Sequence, residues 1–487
     1  MNTVDIEKQP SVIPVFFGTE MWERFGFYVI QALLVLYMTS SVFGFSDEHS
    51  YAILGAFTAI AYITPILGGF VASHILDFEH AVILGGILLA IGYATLALPS
   101  EHFFYIGLSI VAVGSGFFKP NISSYLGDFY HRNDPLREKG YTIFYVGINS
   151  GILLSTAASG YIQRYFGWHV PFLLASIGLL IGTATFIFGM RYLKSAHNFH
   201  RIRSSIANKK TTLIACVYVG AVVLMALTYE IIRHRTFANE LMLWGGTTIF
   251  AGLVFYAFRY TKATRNKMLA CIFLTIISIV FWAIYFQMFF SMNLFIERAV
   301  NRDFFHFSLP PPLFLSLESI FIIIFGPLAA TLWLRLAKKN KNPNIPLKFA
   351  LSMFSLFVAF MIAYAGTKLL DTSGQSDKIF IVFSYWFVMA GELLLSPVGL
   401  AMVTVLVPQE LIGLMMGVWF VALGLGMKLG GVIADIAAIP KHIQSLPDMN
   451  QIYGHAFFVY AMLSLGVAIV CFICVPMLKH MVETKAD

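Results

Sequence analysis

An all-α membrane protein of fourteen spans, two six-helix bundles with two further helices between them, is the fold class that three features of this sequence predict. Of its 487 residues 58% are hydrophobic and only 12% charged, about half the charge of a soluble domain. The apolar residues gather into windows of about 20 residues, each long enough to cross a hydrocarbon core of about 30 Å as a helix. Basic polar stretches at Lys194 to Lys210 and Thr261 to Lys267 then sort the windows into groups of six, two and six.

The first window, near 13–40, is apolar apart from Glu20, Glu23 and Arg24. Helical spacing puts the three on one face at i, i+3 and i+4, in the order that favours a Glu-to-Arg pair. A charge at bilayer depth costs a few kcal/mol unless it meets a partner or a wet cavity, so this face is expected to look inward. A protonatable acid beside a fixed cation makes a proton-coupled anion site, because protonating the acid frees the arginine's donors for a carboxylate. The plainer alternative is a static ion pair that sets helix register.

Windows near 50–76 and 81–98 come next, joined through Asp77 and Glu79. In the fourth, near 102–130, the run Gly114-Ser115-Gly116-Phe117-Phe118-Lys119-Pro120-Asn121 sets a lysine directly before a proline. There the helix loses a backbone hydrogen bond and can bend. Windows near 138–164 and 169–192 complete the first bundle, expected over residues 1–194. The connection, 195–267, holds windows near 211–232 and 238–259. The last six, near 268–297, 310–337, 346–369, 379–407, 411–438 and 452–478, form a second bundle over 268–487. Here Gly391-Glu392-Leu393-Leu394-Leu395-Ser396-Pro397 again sets a charge beside a proline. Packing explains kinks and glycines, but not the charges.

The net charge of +7 needs no nucleic acid, because the lysines and arginines cluster in short loops on one side of the predicted spans, the pattern of positive-inside loops. The richest, Arg132 to Lys139, Lys194 to Lys210, Arg259 to Lys267 and Arg335 to Lys348, all fall on one side and are expected to put both termini in the cytoplasm; the expected location is the inner (plasma) membrane. Residues 1 to 12 are polar with mixed charge, so no secretory signal is expected. Cys216, Cys271, Cys471 and Cys474 lie in apolar runs and read as packing residues rather than a redox or metal motif. An enzyme would need a nucleophile or metal cluster, and neither HExxH nor GxSxG occurs. No cofactor is expected.

Two six-helix halves joined by a long cytoplasmic connection is the layout of a major facilitator, with substrate held midway between the halves, although spacing alone equally allows a fourteen-span bundle in which the central pair are ordinary members. Four ordered motifs narrow that layout. They are Glu20-x-x-Glu23-Arg24-Phe25, Gly114-x-Gly116-x-x-Lys119-Pro120-Asn121, Phe144-Tyr145-x-x-Ile148-Asn149-x-Gly151 and Glu392-Leu393-x-x-Ser396-Pro397-x-Gly399-Leu400, followed by Met416-Gly417-x-Trp419-Phe420. In this order they resemble the proton-dependent oligopeptide transporters, whose bacterial members carry an extra helix pair between the halves. The resemblance implies proton-driven import of di- and tripeptides by a protein working as a monomer. Arg24 and Lys119 would take the peptide carboxylate and Glu392 its ammonium. Asn149 would hold backbone or terminal groups. Tyr28, Tyr62, Tyr145, Trp282 and Trp419 would wall the cavity, with Gln287 and Ser396 also at the site, and Glu20 and Glu23 would carry the coupling proton. Another facilitator substrate, such as nitrate, an organic anion or a drug, is disfavoured by this set of opposite charges.

The chain also departs from the family pattern. Many members have an arginine where Gln31 stands and an acid where Phe286 stands; their joint absence is what a charge pair predicts. Gln31 with Gln287, or Glu297, is then expected at an extracellular gate. Glu318 occupies a position usually held by asparagine, and beside Glu392 it would suit a cationic peptide or a second proton site. Lys428 is expected to pair structurally with Glu318, Glu392 or Asp435.

Overall fold

A computed structural model describes residues 10–130, 135–196 and 211–483. Parts of the basic loops at Arg132 to Lys139 and Lys194 to Lys210, and both chain ends, lie outside the described residues. The chain is nearly all helical, as its composition predicts. The first six long helices are α1 (Ile13–Thr39), α2 (Asp47–His74), α3 (Phe78–Leu96), α4 (Glu101–Gly127), α5 (Pro135–Phe166) and α6 (His169–Ala196). Two follow in the connection, α7 (Thr211–Arg233) and α8 (Arg235–Ala257). The rest are α9 (Lys262–Tyr285), the short α10 (Ser291–Ala299), α11 (Pro311–Lys338), α12 (Ile345–Gly366), α13 (Lys378–Leu406), α14 (Ile412–Ala434) and α15 (Leu446–Glu483). Among the described residues thirteen spans, counting α9 and α10 as one, are long and apolar enough to cross a bilayer by composition. Among the long helices only α1 is not in that set, because its charged motif dilutes an otherwise apolar helix.

Local chemistry sets several helix starts. The carboxylate of Asp77 accepts the His80 backbone N–H at 2.7 Å and opens α3. The Asn344 amide oxygen accepts from Leu347 N–H at 2.9 Å at α12, and Asp377 accepts from Ile379 N–H at 2.8 Å at α13. Each satisfies a donor that a helix N-terminus leaves open. Outside the helices, two-residue strands pair Val300–Asn301 with Ser376–Asp377 and Asp303–Phe304 with Phe307–Ser308. The turn at Asp371 is held by the hydroxyl of Ser373, the amide of Asn301 and the backbone of Gln375. Those donors hold the Asp371 carboxyl well below the usual carboxylate range.

The prolines do not interrupt their helices: Pro120 and Pro397 lie inside the unbroken α4 and α13. The interruption falls instead after Tyr285, where α9 tightens into a short 3-10 turn and restarts as α10. No glycine or proline marks it. Gln287, fully buried, supplies the hydrogen bonds that the break would otherwise lose. Its Nε2 donates to the carbonyls of Ala283 at 3.0 Å and Gly430 at 2.9 Å, and its Oε1 accepts from Ser291 Oγ at 2.8 Å.

The contacts gather into two compact units. The first comprises residues 1–33 and 60–233, the second 34–59 and 234–487. Within the first, α3 packs on α4 and α6, and α7 lies against α4. Within the second, α12 packs on α13 and α15, and α9 on α14. There α8 lies on α9 and α14, and Arg235 at its start pairs with Asp435 beyond the end of α14. Only 17% of the apolar window of α7, and the same of α8, is covered by protein, against 72% for α4. The two connecting helices therefore offer most of their side chains to lipid.

Candidate functional site

In the first unit the site is built on α1, α2, α4 and α5. The Arg24 guanidinium reaches both acids of its motif. Nε stands 3.0 Å from Glu20 Oε1, and Nη2 is in close contact with Glu23 Oε2. All three residues are at most 5% exposed. Glu20 Oε2 and Glu23 Oε1 stand outside these ion pairs and have no hydrogen-bond partner among the described residues.

Lys119 reaches the same region from α4. Its Nζ lies over the ring of Tyr62 at 3.9 Å and that of Phe27 at 4.4 Å, with no hydrogen-bond partner in the described residues. Cation–π attraction of up to about 2 kcal/mol holds it there. It also leaves all three ammonium donors unused, which is costly for a buried group. Tyr28 and Tyr62 are half-buried around it, with Phe27 edge-on between them.

Glycines bring these helices together. A Cβ on Gly68 of α2 would strike the Gly116 carbonyl of α4, and Thr64 Oγ1 donates to the Ala112 carbonyl at 2.9 Å across the same contact. Asn121, buried and a little over one helical turn past Gly116, donates from Nδ2 to Phe117 O at 2.7 Å and Gly68 O at 3.2 Å. The α4 motif thus reads as a close α2–α4 contact that delivers Lys119. On α5, Gly151 faces α1, where a Cβ would strike Met21 O and come within 2.8 Å of Arg24 Cβ. Gly151→Ala is therefore expected to push α1 away and cost about 1–3 kcal/mol, read as a lower unfolding temperature in detergent, with Gly167→Ala, which meets nothing but needs φ +85, as a contrasting backbone case. Asn149, nearly buried, donates from Nδ2 to its own helix at Tyr145 O, 2.9 Å away, while the Tyr145 ring is exposed.

The second unit gathers a different set. Tyr285 of α9 sits between two acids, its hydroxyl 2.6 Å from Glu318 Oε1 of α11 and 3.0 Å from Glu392 Oε2 of α13. Glu318 is buried and Glu392 half-buried. Trp282 meets Tyr285 edge to face at 5.1 Å and is 4% exposed. Ser396 follows Glu392 by one turn of α13 and is half-buried. Trp419 is 3% exposed, its ring filling the space that Gly399 leaves on α13. Gln287 is committed to the α9–α10 break described above.

Other charged candidates find separate partners. Glu297 pairs with Arg302 at 3.4 Å. Lys428, 4% exposed, lies in electrostatic contact with Asp435 and Arg235 rather than with the two glutamates. Glu79 accepts from Tyr125 OH at 3.1 Å. Among the described residues no group of three metal-ligating side chains occurs.

Sequence reasoning missed one set. Asp47, 4% exposed, accepts from both Nη atoms of Arg298 at 2.6 and 2.8 Å and from the Ile439 backbone N–H at 2.9 Å. Arg298 Nη1 also donates to Tyr453 OH at 3.4 Å. Along the sequence Asp47 is an acid in a first helical turn and Arg298 a base in a last one, ordinary places for such charges. Nothing local says that they meet.

Comparison with known proteins agrees with this layout. Residues 79–452 match the profile of the POT family. The chain is 33% identical over 494 residues to the dipeptide and tripeptide permease B of Salmonella typhimurium, with 99% of each chain covered. It is 34% identical over 490 residues to the permease of the same name from Xenorhabdus bovienii, again with 99% of each covered. Its backbone superposes on the crystal structure of a peptide transporter POT in complex with sulfate with a TM-score of 0.85, at 28% identity, over 98% of this chain and 96% of that one. A structure described for substrate recognition in proton dependent oligopeptide transporters gives 0.83 at 26% identity, over 97% and 100%. With a profile match over most of its length and full-length kinship to permeases of matching backbone, this chain belongs to the POT family.

Proposed function

We propose that the protein is a proton-coupled symporter that imports di- and tripeptides across the inner (plasma) membrane, working as a monomer with both termini in the cytoplasm. The observation that carries this reading is the buried group of Glu20, Glu23, Arg24 and Lys119, two acids and two bases with Lys119 Nζ unpartnered among the described residues. With both acids ionised its charges balance. Protonating one acid leaves one positive charge in excess, which a peptide carboxylate cancels. Proton and carboxylate thus enter as a neutral pair. This ties uptake to the proton gradient, because either one alone leaves an unbalanced buried charge.

The permease names of the relatives support peptides as the substrate class. Arg24, with a planar fork of donors, and Lys119, with free ones, are the carboxylate ligands. Glu392, half-buried and acidic, is the ammonium ligand. Asn149 and Ser396 supply backbone contacts, and Tyr28, Tyr62, Tyr145, Trp282 and Trp419 supply surface that tolerates varied side chains.

A thermal-shift screen of purified protein against dipeptides, tripeptides, amino acids and N-acetylated peptides tests the substrate class. A ligand present at 100 times its Kd stabilises the folded state by about 2.7 kcal/mol. Dipeptides and tripeptides with free termini are expected to raise the unfolding temperature, and amino acids and N-blocked peptides are not. Equal shifts with blocked peptides would remove the ammonium ligand from the scheme.

A further inference from the structure

The contact of Glu318, Tyr285 and Glu392 holds more acid than the scheme above uses. A tyrosine hydroxyl has one proton to give, yet it lies within hydrogen-bond distance of both carboxyls. The shorter contact, 2.6 Å, is the donation from Tyr285 to Glu318. The second, 3.0 Å, is filled when the Glu392 carboxyl carries a proton of its own and donates it to the Tyr285 oxygen.

No fixed cation neutralises the group among the described residues. The titratable side chains facing it are Tyr285 from α9 and Tyr385 from α13, both hydroxyls. The buried lysines of the same unit have other surroundings: Lys428 interacts electrostatically with Asp435, and Lys348 Nζ lies 4.8 Å over the Trp333 ring. Two carboxyls that share one tyrosine hydroxyl, one buried and one half-buried, with no counter-ion among the described residues, hold one proton between them, so the resting group carries a single negative charge. It can take one ammonium as it stands. To take a second positive charge it must lose its proton.

We propose that Glu318 and Glu392, bridged by Tyr285, form a one-proton dyad that recognises peptides with a cationic side chain next to the free amino terminus, and exchanges its proton for that second cation. The inference rests on the peptide reading above. Charge balances at each step. A dipeptide with an uncharged first residue places one ammonium on the singly charged dyad, and the proton stays. A lysyl dipeptide places two ammonium groups there, and the dyad proton leaves to water.

Calorimetric titration of wild-type protein with Ala-Ala and with Lys-Ala, each in two buffers of different ionisation enthalpy, counts the protons exchanged on binding. Lys-Ala is expected to release about one proton more than Ala-Ala. Glu318→Gln keeps the shape of the side chain and removes its titration. In that variant the difference in proton count is expected to vanish, and Lys-Ala to weaken about tenfold more than Ala-Ala. Its unfolding temperature in detergent, compared with wild type, reports that the variant is folded, and Glu318→Asn serves as a second substitution if the first does not fold. Equal proton counts for the two peptides in wild-type protein, or a difference that survives in Glu318→Gln, would overturn the dyad while leaving the peptide reading intact. Absence of binding by both peptides to folded wild-type protein would overturn the peptide reading and the dyad with it.

Discussion

Glu23→Gln abolishes proton-driven accumulation of a dipeptide in vesicles while peptide counterflow, which needs no net proton movement, persists. The side chain is fully buried against Arg24, and its Oε1 has no hydrogen-bond partner among the described residues. Glutamine fills the same space and cannot cycle a proton. The group then carries a permanent positive excess, so a peptide carboxylate binds without a proton having entered first. One elementary charge moved through 100 mV is worth about 2.3 kcal/mol, a factor of about fifty in the accumulation ratio. The variant is expected to lose that factor, in a flux measurement with an imposed potential and pH gradient. Undiminished accumulation would take the coupling role away from Glu23. Glu20→Gln, read in the same assay, then tells whether the proton resides one helical turn earlier.

Arg298→Ala is expected to cost about 3–5 kcal/mol of stability, because among the described residues it leaves the buried Asp47 carboxylate with the Ile439 N–H as its one hydrogen-bond partner. The loss should appear as a lower unfolding temperature in detergent and as a similar loss in Asp47→Ala, which strands Arg298 in turn. The two losses should not add, since one interaction underlies both. Exchanging the charges with Asp47→Arg and Arg298→Asp together should recover part of the pair energy. Recovery stays incomplete, because Ile439 N–H then faces a cation. Wild-type unfolding of both single variants would show that this pair contributes nothing to the fold.

Much of the architecture was legible because the bilayer imposes a simple rule. A stretch that crosses it must satisfy its own backbone, and only a helix of about 20 apolar residues does so within a single segment. Window boundaries such as those of α3, α7 and α12 therefore match the structure to within a few residues. The charged motif on α1 was legible for the related reason that Glu20, Glu23 and Arg24 are expensive where they stand and so must meet one another. The break after Tyr285 was not legible. It depends on the carbonyl of Gly430, far along the chain, accepting the Gln287 amide, and nothing in the local run of phenylalanines and methionines announces that partner. Pro120 and Pro397, where a bend is expected from the sequence, lie inside continuous helices.

By itself the sequence determined the number and order of the apolar spans, the charged motif on α1 and the family, since all of these are written in local composition and motif spacing. Only the tertiary structure decided who partners whom. It gave Lys119 two aromatic rings and no hydrogen-bond partner among the described residues, tied Arg298 to Asp47, and set one tyrosine between Glu318 and Glu392. The physical reason is range. Helix formation is satisfied within four residues along the chain, whereas the partner of a buried charge comes from whichever helix packing brings within about 3 Å.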